Sequence, residues 1–187
     1  TLLIDAYEGR DVAICDVPGA FLQAKLAEKD NNERTLMKLE GEFVDIMCEV
    51  NPDHKANVIY EKGKKTLYLV ILQAIYGCLE SSLRWYELYS ETLEKEGFVI
   101  NPYDKCVANK DIDGHQCTIV WYVDDNKISH KDKKVVDDVI ELISHHFGKL
   151  TVSRGENHTF LGMNVKIRKA KKIEIEMKDQ LMEAVEM

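Results

Sequence analysis

Two adjacent carboxylates, Asp124 and Asp125, follow the apolar run 117–123 and precede Asn126-Lys127-Ile128-Ser129. The run reads as a strand and the segment after it can pair back, so both carboxylates fall at or beside the tip of a tight hairpin. Two unit charges about 4 Å apart repel by roughly 4 kcal/mol at an effective dielectric of 20. A fold that points carboxylates together commonly offsets this with a divalent cation. Asp16 supplies a third carboxylate inside the apolar, β-branched run 12–17, where a buried unpaired charge is costly. Three carboxylates with no histidine or thiolate beside them offer hard oxygen donors, which favour Mg²⁺ or Mn²⁺ over zinc. Two such ions about 3.5–4 Å apart can clamp an in-line phosphoryl transfer. Spacing alone leaves another reading open, because adjacent aspartates are common turn residues.

The elements that must position these residues follow from periodicity. Residues 12–17 form a strand that ends on Pro18-Gly19, and 34–39 a second short strand. Phe43, Ile46, Met47 and Val50 keep helical spacing until Asn51-Pro52. Residues 58–61 and 66–70 flank Lys62-Gly63-Lys64-Lys65 as a hairpin. The clearest helix carries Leu79, Leu83, Tyr86, Tyr89 or Ser90, and Leu93, with Ser81 or Ser82 as its cap and Gly97 at its end. Residues 107–110 and 117–123 bracket Asp113-Gly114, a strong hairpin signal. Val135, Val136, Val139, Ile140, Ile143 and Phe147 predict a second amphipathic helix closed by Gly148. Residues 159–167 and 172–176 predict a last hairpin around Lys169-Ala170-Lys171. Hairpins and helices alternate without βαβ repetition, which is an α+β pattern: helices on one face of a mainly antiparallel sheet.

With 187 residues, 45% of them apolar, the chain can build the core of one domain, or of one and part of a second. The net charge of −8 argues against a sequence-independent nucleic-acid sponge but leaves room for a local basic groove. Five widely spaced cysteines without a C-x-x-C make a disulfide framework or structural zinc improbable and fit a reducing, intracellular compartment. No apolar run reaches a membrane span. The chain begins at Thr1 without a leader-like segment and reads as an excerpt of a longer one. Asn109 to Gly114 mimic the start of an EF-hand loop, but its twelfth position is Val120, and His145-His146 lack zinc spacing. Basic residues cluster at Lys62, Lys64 and Lys65, at Lys127, Lys131, Lys133 and Lys134, and at Lys166, Arg168, Lys169, Lys171 and Lys172. These either contact phosphates or are solvated faces.

Five blocks, in order, resemble the reverse transcriptase domain of copia-type long-terminal-repeat retrotransposons. Asp16-Val17-Pro18-Gly19-Ala20-Phe21-Leu22 is similar to the family's D-V-x-x-A-F-L segment. Ile75-Tyr76-Gly77 with Leu83-Arg84-Trp85-Tyr86 resembles its L-Y-G-L-K-Q-A-P-R-x-W-Y block, although Glu80-Ser81-Ser82 stand where Gln-Ala-Pro is usual. Gly97-Phe98 with Asp104-Lys105-Cys106-Val107 resembles the G-F…D-x-C segment. Tyr122-Val123-Asp124-Asp125 resembles the polymerase Y-x-D-D box, followed here by Asn126 where an apolar residue is usual. Phe160-Leu161-Gly162-Met163 resembles Y-L-G-I/M.

The resemblance implies a polymerase palm-like antiparallel sheet with helices on one face, plus partial fingers. The palm core would span about 11–167, and 168–187 would finish a hairpin and start the next segment. It implies an RNA-directed DNA polymerase core that adds deoxynucleoside triphosphates to a primer 3′-hydroxyl on an RNA or DNA template. Asp16, Asp124 and Asp125 would be catalytic and, with the Val17 backbone, would bind two Mg²⁺ (or Mn²⁺). Phe21 would gate the incoming sugar, with Ala20 and Gly77 beside the nucleotide. Tyr122, Phe160, Leu161 and Gly162 would meet primer and template. The partners implied are an RNA template, a DNA primer, a deoxynucleoside triphosphate and the remaining Pol polyprotein: fingers, thumb, ribonuclease H and integrase. An active element would place the chain in a cytoplasmic virus-like particle or the nucleus. With few residues before Asp16, the isolated chain is expected to lack part of the fingers and to extend primers poorly. The alternative is a non-catalytic relic with the same fold. A nucleotidyl cyclase is disfavoured, since its G-G-D/E-E/D-F turn is not what Tyr122 to Asp125 supply.

Overall fold

A computed structural model describes residues 1–26, 34–168 and 172–186. In chain order the elements are α1 (Leu2–Glu8), β1 (Asp11–Asp16), α2 (Ala20–Gln23), β2 (Leu36–Glu40), α3 (Glu42–Val50), a 3₁₀ turn (Pro52–Asn57), β3 (Ile59–Glu61) and β4 (Lys64–Val70). There follow α4 (Ser81–Lys95), β5 (Val99–Ile100), β6 (Val107–Ile112), β7 (His115–Tyr122), β8 (Asp125–His130) and α5 (Lys133–Phe147). The chain continues through β9 (Thr151–Arg154), β10 (Asn157–Phe160), β11 (Met163–Arg168), β12 (Lys172–Glu176) and α6 (Lys178–Glu186).

The main sheet runs β5-β6-β7-β8-β1-β9, antiparallel throughout. Strand side chains alternate between faces. Ala13, Cys15 and Val17 therefore enter the large core beneath α4 and α5, with Ile119, Trp121 and Ile128. Val12 and Ile14 face the other way and pack on Phe160. Asp16 continues that second row, so it projects from the face the two long helices leave open. The α+β expectation of helices on one side of an antiparallel sheet holds for the two long helices, α4 and α5. A second sheet, β2-β4-β3, packs on α3 through Val44, Cys48 and Leu67 as a small satellite.

Several expected faces are rotated. Helix α4 buries Trp85, Tyr89 and Leu93, an i, i+4, i+8 stripe, while Leu83 is 51% exposed and Leu79, ahead of the helix, 97% exposed. The two large aromatics remove the most apolar surface from water, so they set the rotation. Ser81 does not cap the helix: it lies in its first turn, and its hydroxyl donates to the Ile75 carbonyl at 2.6 Å. Helix α3 exists as expected, but Phe43, Ile46 and Val50 are exposed, and Val44 and Cys48 are buried instead. Helix α5 matches its predicted stripe, with Asp132 capping the Lys134 N–H at 2.8 Å and Ile140 half-buried.

Residues 159–167 are not one strand. Leu161 and Gly162, both at positive φ, turn the chain between β10 and β11. The turn expected at Lys169-Ala170-Lys171 lies outside the described residues.

Candidate metal centre

Strands β1 and β8 pair in a register that sets Asp16 directly opposite Asp125. Facing residues in an antiparallel pair have Cα atoms about 4.5–5.5 Å apart and project their side chains to one face. Across the β7–β8 hairpin Tyr122 pairs with Asp125, leaving Val123-Asp124 as a two-residue loop. The Val17 N–H donates to the Asp124 carbonyl at 3.0 Å, which fastens this loop to the end of β1. The sheet thus brings Asp16 beside the Asp124-Asp125 pair, from which it is far apart in sequence. Burial holds the Asp125 carboxyl above the usual carboxylate range, and the charges of Asp124 and then Asp16 push it further the same way.

The loop is strained and supported from below. Val123 sits at φ 55, a left-handed conformation that a β-branched side chain rarely adopts. The Trp85 indole Nε1–H donates to the Val123 carbonyl at 2.7 Å. The Asn126 Nδ2–H donates to the Asp124 carbonyl at 2.9 Å, and the Tyr89 hydroxyl donates to Asn126 Oδ1 at 2.5 Å. Tyr89 and Asn126 are fully buried, and burial pushes the phenol pKa up, so Tyr89 remains a donor. Asn126, unusual at its position, is therefore the polar link between α4 and the loop. The periodicity of α4 did not reveal these supports. The signal available was a Trp and a Tyr four residues apart on a helix expected to lie on one face of the sheet.

The other expected residues are placed unevenly. Phe21 is half-buried and lies against the exposed Tyr76, ring centroids 4.8 Å apart. Gly77 has φ 91, which calls for glycine, and a Cβ there would meet open space. Tyr122 is 63% exposed, and Leu161 and Gly162 are exposed. The Ala20 and Phe160 side chains are buried in apolar clusters, so only their backbone could meet nucleotide or primer. The Val17 side chain is fully buried and its N–H is committed to the Asp124 carbonyl. Lys127 is no phosphate contact either. It is fully buried, its ammonium 2.5 Å from Asp5 Oδ2, with Arg10 close by. Lys169 and Lys171 lie outside the described residues.

Hard carboxylate oxygens that crowd and repel suit Mg²⁺ or Mn²⁺. Among the described residues, however, no group of three or more His, Cys, Asp or Glu side chains closes into a cage for an ion. Mg²⁺ usually takes one or two carboxylates and completes its shell with water and substrate phosphates. The donor set fits that mode rather than a closed protein site.

A sequence profile described as reverse transcriptase (RNA-dependent DNA polymerase) matches residues 1–187. No curated relative matches the chain. A solved structure of apo telomerase from Candida tropicalis, truncated from its C-terminal domain, is similar with a TM-score of 0.46 at 13% identity. That alignment covers 89% of this chain and 35% of the telomerase chain.

Proposed function

Because the chain belongs to the copia-type reverse transcriptase family, we propose that it is the core of an RNA-directed DNA polymerase, joining deoxynucleoside triphosphates to a primer 3′-hydroxyl. The observation that carries this reading is the facing register of Asp16 and Asp125, with Asp124 in the adjoining loop. Asp16, Asp124, Asp125 and the Val17 carbonyl would hold divalent cations. Such ions, when bound, lower the pKa of an attacking hydroxyl and neutralise a leaving pyrophosphate. The chain's own part is to aim the carboxylates at the open sheet face, away from α4 and α5. Phe21, braced by Tyr76, would stand under the incoming sugar and exclude a 2′-hydroxyl by its bulk. Gly77 would let backbone approach the template–primer pair. Tyr122, Leu161 and Gly162 would line the primer path. Partners on this reading are a primed template and the other segments of a Pol polyprotein.

A second reading, a polymerase fold that no longer copies, is favoured by the acid at Glu80 and the net charge of −8, both unfavourable to a nucleic-acid backbone. Primer extension on a primed RNA template with Mn²⁺, in wild type and in Asp124→Asn and Asp125→Asn, separates the two. Extension lost in both folded variants supports the polymerase. Extension that survives both substitutions overturns the site. No extension by a wild-type chain that binds Mn²⁺ selects the second reading.

A further inference from the structure

We infer that Trp85, Tyr89 and Asn126 are positioning residues for the carboxylate centre: they clamp the strained loop so that Asp124 and Asp125 are aimed before any cation arrives. The inference rests on the metal-binding part of the reading above.

Three observations carry it. First, Val123 occupies φ 55, which a valine keeps only where the surroundings over-determine it. Second, every loop carbonyl has a directed donor. Trp85 Nε1 meets the Val123 oxygen at 2.7 Å, and Asn126 Nδ2 and the Val17 N–H meet the Asp124 oxygen at 2.9 and 3.0 Å. Third, the outer support is itself fixed. Tyr89 is wedged among Trp85, Trp121 and Phe147, with ring centroids 5.2–5.4 Å apart, so its hydroxyl can only point at Asn126. A rigid aromatic helix face thus dictates the peptide planes of two residues whose side chains must converge. Without those donors the loop relaxes toward an unstrained conformation, and the Asp124 carboxylate turns with its peptide. Trp85 and Tyr89 lie in the core beneath the sheet and Asn126 points to Tyr89, on the face opposite Asp16 and Asp125. They act only through the loop, as hydrogen-bonded groups behind metal ligands do.

The test uses the intact chain and Mn²⁺ alone, with affinity measured by titration calorimetry or electron paramagnetic resonance well below the melting temperature. Tyr89→Phe and Trp85→Phe each remove one donor and keep an aromatic ring. Each should weaken Mn²⁺ binding about tenfold or more. Leu93→Ala, on the same helix and equally buried but remote from the loop, should lower the melting temperature at least as much and leave the affinity unchanged. In metal-free buffer, deuterium exchange at Asp124 and Asp125 should quicken in Tyr89→Phe and not in Leu93→Ala. Wild-type affinity in both donor variants, with Asp124→Asn impaired, overturns the positioning role and spares the metal site. Equal Mn²⁺ affinity in wild type and Asp124→Asn removes the metal site, and the positioning role with it. If Trp85→Phe fails to fold, Tyr89→Phe decides alone.

Discussion

Strand β7 ends in a two-residue hairpin loop at each side, and the two loops obey different rules. At one end Asp113 and Gly114 both take positive φ, 53 and 74, in the type I′ pattern that Asp-Gly adopts without strain. At the other end Val123 alone takes positive φ, the type II′ pattern, whose first position favours glycine. The first loop itself is held by a local bond, from the Gly114 N–H to Asp111 Oδ1 at 3.1 Å, while the His130 ring meets only the flanking Ile112 and His115 carbonyls. The second is held by the Trp85 indole from α4 and by the Asn126 amide of β8, which the Tyr89 phenol of α4 fixes in turn. Local chemistry builds the ordinary turn, whereas tertiary structure imposes the one that carries the carboxylates. Strain of this kind costs of order 1–3 kcal/mol and collects at functional sites.

The largest way to break the contrast is to remove the support. Trp85→Ala should cost about 3–5 kcal/mol of stability by urea unfolding, because it opens a cavity and frees the loop. A loss below about 1 kcal/mol would mean the indole is not part of the frame.

Exchanging the chemistry of the two turns is next. Gly114→Val places a β-branched residue at φ 74 with open space around its Cβ and no support, and should cost about 1–3 kcal/mol. Val123→Gly should change stability by no more than about 1 kcal/mol, since relieved strain is offset by the greater entropy of an unfolded glycine. Equal losses in both would erase the distinction drawn here.

The smallest effect is a pH slope. Burial and two neighbouring charges raise the Asp125 pKa, so the folded chain holds that proton more tightly than the unfolded chain does. Stability of the metal-free chain must then fall as pH rises from the ordinary carboxylate range through the raised value. Because Asp125 is only partly buried, the expected contribution is below about 1 kcal/mol. Asp125→Asn should abolish it, and the difference between variant and wild type across pH 4–7 by chemical unfolding measures it. That difference also cancels His158, whose slope runs the other way. Burial lowers its pKa, so it costs stability as the pH falls below its unfolded value.

What could be read from sequence and what could not divides along the same line. Asp113-Gly114 announces its hairpin, and the apolar stripe of α5 announces its buried face, because each signal is local. The pairing of hairpin and strand around Asp16, Asp124 and Asp125 was legible through motif order. Helix α3 was not fully legible: it carries two apolar stripes, Phe43-Ile46-Val50 and Val44-Cys48, and only the satellite sheet decides which is buried. Lys127 read as part of a basic cluster, because nothing near it in sequence reveals that Asp5 waits across the fold. Helices α1 and α2 and strand β9 are too short for periodicity to register. Asn126 looked like a blemish next to the aspartates and is instead the link between helix and loop.

The central place of β1 also sets an order of events. It lies between β8 and β9, both encoded far downstream, so the slowest contacts in this chain are the ones that seat Asp16 beside Asp125. Until β8 is synthesised, the apolar residues 12–15 have no partner on either edge, and an unpaired strand of that composition invites self-association. During synthesis the first aspartate of the centre emerges early and is locked in late. Assembly of the carboxylate cluster therefore waits for β8, and a nascent chain halted before β8 leaves β1 unpaired on both edges.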